Sequence, residues 1–446
     1  MRTRNDYDVA IVGGSLAGCA AATLFARRGA RVALIEKSPS MDHYKVVCTH
    51  FIQPTALPVI ERLGLRRPLE EAGAVFGTLD VYTHGRWIRF PTPDELPEDE
   101  GPSVSVRRQT LDPMLRGVAA GTPGVDYMPG MRVSRVLASE GRVTGVAATA
   151  RDGRETDIRA RLVVAADGRD SGMAALARVP ARVKPHARFG YLAYFTGIEQ
   201  KRPNVAQTWL LDPEIAYTFP NEQGVTVLAG WFAHHRLPDF KRDPAGTLTR
   251  FFQQLPSEAP DLSRATMISK PIGKLDLPNR SRPAAARGMA FVGDAALATD
   301  PAWGVGCGWA LQSGEWLADA AGEAVVSGHG LDAALDRYRR RHRATLGPHH
   351  FIITDLADGR RFNWFERLVF KAAADDPVVN RMVRLYASRA QSPFKQFSPA
   401  LVPRLLAAVR RKGEAPATNG HAQADLPTTG GPADLATATR GAAEWH

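Results

Sequence analysis

The sequence predicts an α/β protein with a Rossmann-type dinucleotide-binding domain, interrupted by a mostly antiparallel β substrate domain and followed by C-terminal helices. Three observations predict this class. A strand, a glycine-rich turn, an alanine-rich helix and a second strand follow one another over residues 7–36. Apolar residues then alternate with polar ones over residues 185–275, which is typical of an antiparallel sheet. A short apolar strand at 289–292 leads into another long helix, so the dinucleotide fold stops and resumes.

The N-terminal motif, YDVAIVGGSLAG at residues 7–18, predicts a dinucleotide site. Gly13 permits the tight turn, Gly18 lets the helix lie close to the strand, and the free N–H groups at the helix start can hold a pyrophosphate. Glu36 ends the second strand, where its carboxylate can accept the hydroxyls of an adenosine ribose. Ser15 stands where a second glycine is usual, so the site must tolerate a Cβ there.

Composition describes an ordinary globular protein. The 446 residues are 44% hydrophobic and 23% charged, and no apolar stretch approaches the roughly 20 residues of a membrane helix. The chain starts without a signal-peptide pattern, which favours a cytoplasmic location. Its three cysteines are widely spaced, which argues against a disulfide framework or a zinc site. No metal is therefore expected.

The net charge of +11 raises the question of nucleic acid. The arginines are scattered, and the densest cluster, at residues 337–343, lies in a helical stretch without an aromatic stacking platform. We interpret that cluster as a solvated helix face and expect no nucleic-acid partner. An excess of basic residues would also attract an anionic cofactor.

The expected organisation has three interleaved parts and a tail. The dinucleotide-binding domain takes residues 1–78, 103–184 and 276–330. The substrate domain takes residues 79–102 and 185–275, and helices follow at 331–411. Residues 412–446 contain too few apolar side chains to fold and are expected to be a disordered tail.

The basic stretch at residues 397–411 could form a short amphipathic helix. Its apolar stripe consists of Leu401, Leu405 and Ala408, and two prolines limit its length. We expect the stripe to dock onto the protein body, so membrane association is not expected. The sequence leaves the oligomeric state open.

Two further motifs accompany the N-terminal dinucleotide motif. One is VVAADGRDS at residues 163–171, and the other is AFVGDAA at 290–296, followed by DPAWGVG at 300–306. With the N-terminal motif, they resemble the FAD-dependent monooxygenase superfamily, whose para-hydroxybenzoate-hydroxylase-like fold is shared with geranylgeranyl reductases and flavin halogenases. The resemblance covers residues 7–345. It implies a non-covalent FAD, NADPH or NADH as reductant, and a small-molecule substrate.

The resemblance also assigns roles to individual residues. It places Asp294 at the ribityl chain of FAD, Arg108 near the phosphates, and Asp167-Gly168 between the pyrophosphate and the nicotinamide cofactor. The turn before the helix at 306 would point N–H groups at the flavin pyrimidine edge. The expected cofactor-binding residues are Gly13, Gly14, Ser15, Ala17, Gly18, Glu36, Lys37, Arg108, Asp167, Gly168, Asp294, Pro301, Gly304, Val305 and Gly306. Leu297 and Ala174 depart from the histidine and arginine that the family often has.

The substrate-side residues depend on weaker similarity. Cys48-Thr49-His50 matches a cysteine-containing loop of the reductases, and residues 215–220 resemble their Tyr-x-Trp-x-Phe-Pro strand. The alternative is ordinary strand packing with a solvent-facing histidine, and we expect Cys19 and Cys307 to pack helices. The pocket candidates are Cys48, His50, Tyr217, Phe219, Trp231 and His234. No catalytic side chain is predicted, because the flavin carries the chemistry.

Three chemistries occur on this fold. We predict a monooxygenase that hydroxylates or epoxidises a hydrophobic or aromatic compound, such as a secondary metabolite, through a flavin C4a-hydroperoxide with O2 as cosubstrate. The Cys48 loop and Phe219-Pro220 favour the alternative, a C=C reductase of the geranylgeranyl-reductase type. Halogenation is disfavoured, because Ile215 and Tyr217 replace two tryptophans and no lysine lies between Lys45 and Lys184. A non-enzymatic flavin-binding protein is disfavoured by the helix dipole expected at the flavin.

Overall fold

The computed structural model describes residues 4–394 and 399–410. The tail expected at 412–446 lies outside these residues. Within the described part of the chain, no helix combines the length and the apolar character needed to cross a bilayer. The fold class predicted from the sequence is confirmed.

The first sheet carries the dinucleotide motif. Five parallel strands form its centre in the order β20-β10-β1-β2-β7. A hairpin of β8 and β9 pairs with β10 through β9, and β19 pairs with β20 at the edge of the sheet. Its strands are β1 (Arg4–Val12), β2 (Val32–Glu36), β7 (Val125–Pro129), β8 (Arg132–Ser139), β9 (Arg142–Thr149), β10 (Glu155–Ala165), β19 (Ala285–Ala286) and β20 (Met289–Phe291). All five residues of β2 are buried, as expected for a central parallel strand covered on both faces.

The second sheet has ten strands and is almost entirely antiparallel. Its exception is β13, which pairs with β4 in parallel. Its strands are β3 (Phe51–Ile52), β4 (Val75–Thr83), β5 (Arg86–Ile88), β6 (Ser103–Ser105), β12 (Arg188–Thr196), β13 (Val205–Leu210), β14 (Ile215–Pro220), β15 (Thr226–Ala233), β16 (Thr266–Met267) and β17 (Ile272–Lys274). The strands at 79–102 and 185–275, both assigned to the substrate domain from the sequence, lie in this one sheet, which the chain first enters at Phe51.

A third, small sheet connects the two larger ones along the chain. It consists of β11 (Arg182–Lys184), β18 (Asn279–Ser281) and β21 (Leu297–Ala298). The helices are α1 (Leu16–Ala26), α2 (Leu57–Arg62), α3 (Arg66–Glu71), α4 (Arg108–Ala120), α5 (Gly172–Leu176), α6 (Leu237–Arg242), α7 (Pro244–Gln253), α8 (Gly306–Ser327), α9 (Leu331–Ala357), α10 (Trp364–Asp375), α11 (Pro377–Ala387) and α12 (Val402–Arg410).

Strand alternation gives the second sheet two apolar faces with different partners. Phe189 and Phe232 face one side, where they pack against Phe240 of α6 and against α7. Tyr217 and Phe219 face the opposite side, in a cluster that includes the C-terminal helices. A residue's position along the strand therefore decides whether it can reach the cofactor-binding side.

Candidate functional site

The turn between β1 and α1 has the shape of a phosphate-binding turn. Gly13 has φ +114°, and a Cβ there would lie 2.4 Å from the carbonyl oxygen of Ala166. A Cβ on Gly18 would lie 1.8 Å from the carbonyl oxygen of Gly13, so helix and turn touch through backbone alone. Ser15 precedes the helix without a side-chain cap, and the first turn holds no acidic residue. Its N–H groups therefore remain available to an anion.

Glu36 is positioned for a ribose at the end of β2. Gly14 N–H donates to its Oε2 at 2.6 Å, and Ser38 N–H donates to its Oε1 at 2.8 Å. These two bonds fix the carboxylate and leave lone pairs for hydroxyl donors. Ala17 is buried in α1 and Lys37, beside Glu36, is exposed.

Arg108 reaches the phosphate-binding turn, as expected. Its Nη2 donates to Ser15 Oγ at 2.8 Å, and its Nε donates to Asp112 Oδ1 at 2.6 Å. Arg116, two turns further along α4, was not predicted. Its Nε donates to the carbonyl of Gly14 at 2.9 Å, and its guanidinium also donates to carbonyls in the 37–50 loop. Arg116 follows Arg108 by eight residues, and this spacing could have identified it from the sequence.

Asp294 follows β20 and meets a lysine that the sequence analysis missed. Lys45 Nζ lies 3.3 Å from Asp294 Oδ2. Burial alone would raise the pKa of Asp294, but Lys45 and Arg169 hold it below its usual value. The carboxylate is therefore an anionic hydrogen-bond acceptor, which is what a ribityl hydroxyl requires.

The 300–306 turn is anchored by a buried ion cluster. Arg188 Nη2 donates to Asp300 Oδ2 at 2.5 Å, His186 Nε2 lies 2.9 Å from Oδ1, and Ala302 N–H donates to Oδ1 at 2.9 Å. Despite burial, Arg188 and His186 hold the pKa of Asp300 well below its usual range. The turn then passes through Gly304, at φ +59°. This anchor holds the start of α8 in place.

The N-terminus of α8 is open like that of α1. Val305 precedes the helix without a side-chain cap, and no acidic residue lies in the first turn. The nearest atom to a Cβ placed on Gly306 would be Asp294 Oδ1, at 3.9 Å, so there is space beside the turn that begins at Pro301. Two uncapped helix starts, one for a pyrophosphate and one for a flavin ring, fit FAD.

Asp167 has a structural role at the start of α5, and its expected contact with the cofactors stays a prediction. Its Oδ1 accepts from Ser171 Oγ at 2.7 Å and its Oδ2 accepts from Met173 N–H at 2.8 Å, so the carboxylate caps α5. Gly168 occupies the adjoining turn at φ +86°. A carboxylate suits both a cap and a cofactor contact, which is why residue type alone did not separate them.

Tyr217, Phe219 and Trp231, three of the predicted pocket residues, share one face of the second sheet. The rings of Tyr217 and Phe219 stack with their centroids 5.1 Å apart, and the centroid of Phe51 lies 5.0 Å from that of Phe219. The Tyr217 hydroxyl donates to the carbonyl of Ala302. Trp231 lies further along this face, 6.2 Å from the ring of His186. The strand thus meets the 300–306 turn directly.

His234 does not join this group, and its prediction as a pocket residue was wrong. It is exposed and lies 6.1 Å from Phe189, on the opposite face of the sheet. Three residues separate His234 from Trp231, so the two-residue alternation of β15 already puts it on the side of Phe232, and the strand ends just before it, at Ala233.

His50 is buried at the site with a tyrosine partner. Its Nδ1 accepts the backbone N–H of Arg108 at 3.0 Å, so its Nε2 faces Tyr194 Oη at 2.7 Å. Tyr194, on β12, was not among the sequence candidates. The residues beside it on the strand are typical of ordinary strand packing, so the sequence did not single it out.

Cys48 and Cys307 meet, contrary to the expectation that Cys307 only packs a helix. Their sulfur atoms lie 3.6 Å apart. Cys19 is buried within α1, as expected. Proximity between residues so distant in the chain has no local sequence signal.

A cavity of about 270 Å³ adjoins the 300–306 turn. It starts beside Phe51 and Gln53, whose amide donates to the carbonyl of Trp303 at 3.4 Å. Arg384 of α11 closes one side, where it forms a two-point ion pair with Glu100. The inner wall is mainly apolar and includes Phe51, Leu57, Leu79, Phe90 and Leu385.

Known proteins share this fold. Residues 6–346 match the family described as FAD binding domain. Digeranylgeranylglycerophospholipid reductase 1 of Methanococcoides burtonii is 24% identical over 355 residues, which cover 77% of this chain and 81% of the relative. The flavin-dependent brominase Bmp2 has a TM-score of 0.74 at 18% identity, covering 92% of this chain and 100% of that one. PqsL of Pseudomonas aeruginosa, described as a probable FAD-dependent monooxygenase, has a TM-score of 0.64 at 20% identity, covering 85% and 100%.

The family match spans all three sequence motifs and both uncapped helix starts. The solved structures support the fold over 92% and 85% of the chain. The chain therefore belongs to the FAD binding domain family, and it is an FAD-dependent oxidoreductase.

Proposed function

We propose that this protein is an NAD(P)H-driven, FAD-dependent monooxygenase that hydroxylates or epoxidises a hydrophobic or aromatic small molecule. The observation that carries the proposal is the apolar cavity beside the 300–306 turn. Among the described residues that line it there is no cysteine, histidine or tyrosine. Bound FAD supplies the electrons and the reaction with O2, so the surrounding chain needs to bind the substrate and exclude water.

The chain's own residues perform those two tasks. Phe51, Leu79 and Phe90 give the substrate an apolar wall, whose contact free energy comes from removing apolar surface from water. Gln53 ties this wall to the 300–306 turn, which would keep a bound substrate close to the cofactor-binding turn. The uncapped start of α8 would offer its N–H groups and the positive end of its dipole to the pyrimidine edge of a bound flavin, where negative charge would develop on reduction.

The acidic residues of the cavity support oxygenation over C=C reduction. A reductase that gives hydride to one carbon must also protonate its neighbour. Glu61 and Asp99 are exposed, and Glu100 is engaged by Arg384 and Arg381. None of these three carboxyl groups is positioned as a buried proton donor.

The second candidate function is C=C reduction, and one observation favours it. Buried His50 and half-buried Tyr194 form a hydrogen-bonded pair in and beside the Cys48 loop, and they could pass a proton to a substrate carbon. This pair lies outside the cavity lining, which is why we place the reductase second.

The test follows the reoxidation of the flavin. FAD-loaded protein is reduced anaerobically, mixed with O2 in a stopped-flow spectrometer, and observed across the flavin bands. We expect a transient species that is neither reduced nor oxidised flavin. Direct return to oxidised flavin, together with anaerobic reduction of a prenyl C=C bond, would instead establish the reductase.

A matched pair of variants connects the cavity to this measurement. Leu79→Trp fills the cavity and should weaken binding of any apolar substrate or inhibitor at least tenfold. Leu275→Trp, at an exposed position, adds the same ring and should bind normally. Equal binding by both variants would show that the cavity is not the substrate site.

A further inference from the structure

Two cysteines that are far apart in sequence meet beside the cofactor-binding turn. Cys48 lies in the 37–50 segment, which contains neither helix nor strand, and Cys307 is the second residue of α8. The 3.6 Å between their sulfur atoms is van der Waals contact, so no other atom stands between them. A disulfide requires a separation of about 2.0 Å, so the two sulfur atoms must approach further, and Cys48 lies in a segment without regular secondary structure.

The surroundings give the two sulfur atoms different charges. A hydrogen bond from Cys307, contacts from His50 and the charge of Arg108 hold the pKa of the Cys48 thiol well below its usual value, against the effect of burial. The His50 backbone N–H donates to Cys48 Sγ at 3.3 Å. The pKa of Cys307 is raised, because it is the donor in that hydrogen bond and is buried beside the Cys48 charge. Cys48 is thus the sulfur of the pair that loses its proton more readily.

We propose that Cys48 and Cys307 form a redox-active dithiol that reduces a hydroperoxide and becomes a disulfide. The Cys48 thiolate attacks the terminal oxygen of the hydroperoxide, the O–O bond breaks, and an alcohol or water leaves with a proton from solvent. Cys48 is then a sulfenic acid. The sulfur of Cys307 attacks the sulfur of Cys48, the S–O bond breaks, and water leaves with the thiol proton. The two cysteines lose two electrons and the peroxide gains them.

Arg108 connects this chemistry to the cofactor site. Its Nη1 lies 3.8 Å from Cys307 Sγ, while its Nη2 binds Ser15 of the phosphate-binding turn. One guanidinium therefore faces both the sulfur pair and the expected pyrophosphate. Reduced flavins that react with O2 are a source of hydrogen peroxide, so the oxidant would arise next to the pair.

Cys19 is an internal control for the assignment. It is fully buried in α1, and burial raises the pKa of its thiol to about 12. It should therefore remain a thiol under conditions in which the other two react.

The test counts thiols in FAD-loaded protein without added NAD(P)H, so its outcome is independent of the proposed monooxygenase reaction. The protein is reduced with dithiothreitol, desalted, treated with one equivalent of hydrogen peroxide and alkylated. Mass spectrometry should show one alkylated cysteine of the three, and a peptide pair that joins Cys48 to Cys307. Dithiothreitol should restore all three thiols.

Variants identify each step. Cys307→Ser should stop at the sulfenic acid, which dimedone labels at Cys48, and Cys48→Ser should not react. Cys19→Ala should form the disulfide as the wild type does, and flavin content is measured for every variant. Three alkylated thiols after peroxide, a disulfide that includes Cys19, or dimedone labelling of Cys48 in the wild type with Cys307 left free would each overturn the proposal.

Discussion

Replacing Asp300 by alanine should destabilise the protein by about 3–5 kcal/mol, the cost of removing one partner of a buried ion pair. Asp300 has no exposed surface, and the side chain of Arg188 is only 3% exposed. The variant leaves the Arg188 guanidinium buried without its carboxylate, and it leaves the Ala302 N–H without an acceptor. Urea unfolding near neutral pH measures the loss, and the same samples should retain less FAD because the 300–306 turn loosens.

The control for this prediction removes both charges. Arg188→Met combined with Asp300→Leu keeps an apolar filling and leaves no uncompensated ion, so it should be clearly more stable than the single Asp300→Ala variant. If the single variant lost under about 1 kcal/mol, the pair would be behaving like a solvated surface pair and our reading of the cluster would be refuted. Equal losses in the single and double variants would refute it as well.

The pH dependence of the same pair has a defined sign. The pKa of Asp300 is lower in the folded state than the roughly 3.9 of an unfolded aspartate. Its contribution to stability is therefore complete above that unfolded value and is lost as the pH falls through the folded pKa. The difference in unfolding free energy between wild type and Asp300→Ala should stay constant from neutral pH down to about 4 and shrink below it.

Three other predictions concern the cofactor turns and the C-terminal end. Asp294→Ala, and separately Glu36→Ala, should each weaken FAD binding by about 1.5–3 kcal/mol, measured by flavin-fluorescence titration of apoprotein; undiminished occupancy in both would mean the cofactor is misplaced. Gly13→Ala should yield no flavin-loaded protein, because its Cβ would collide with Ala166, whereas Gly29→Ala, whose Cβ would meet nothing within 4 Å, should load normally. The protein should stay in the supernatant when it is spun with anionic liposomes at physiological salt, because Leu405 and Ala408 of α12 are already buried; sedimentation with the vesicles would contradict this.

The parts of the site that the sequence predicted are those made by neighbouring residues. The turn at Gly13 and the acid at Glu36 belong to one strand-turn-helix-strand unit, whose geometry follows from local backbone rules. The uncapped start of α8 is of the same kind. Each is specified within a few dozen residues.

The parts that were missed depend on packing between distant segments. Lys45 meets Asp294 across 249 residues, and Cys48 meets Cys307 across 259. No local period encodes such contacts, because they arise only when the two segments fold against one another. The error at His234 has another cause: it was grouped with Trp231, although three residues separate the two and the two-residue period of a strand puts them on opposite faces.

The two walls of the cavity have separate origins in the chain. Phe51, Leu79 and Phe90 lie within the segment that matches the family, whereas Arg384 and Leu385 follow its end at residue 346. Exchange of the C-terminal helices between relatives would therefore reshape the space for a guest molecule and leave the nucleotide-holding turns intact. Selectivity and redox chemistry can thus diverge independently in this architecture, as two modules of one polypeptide.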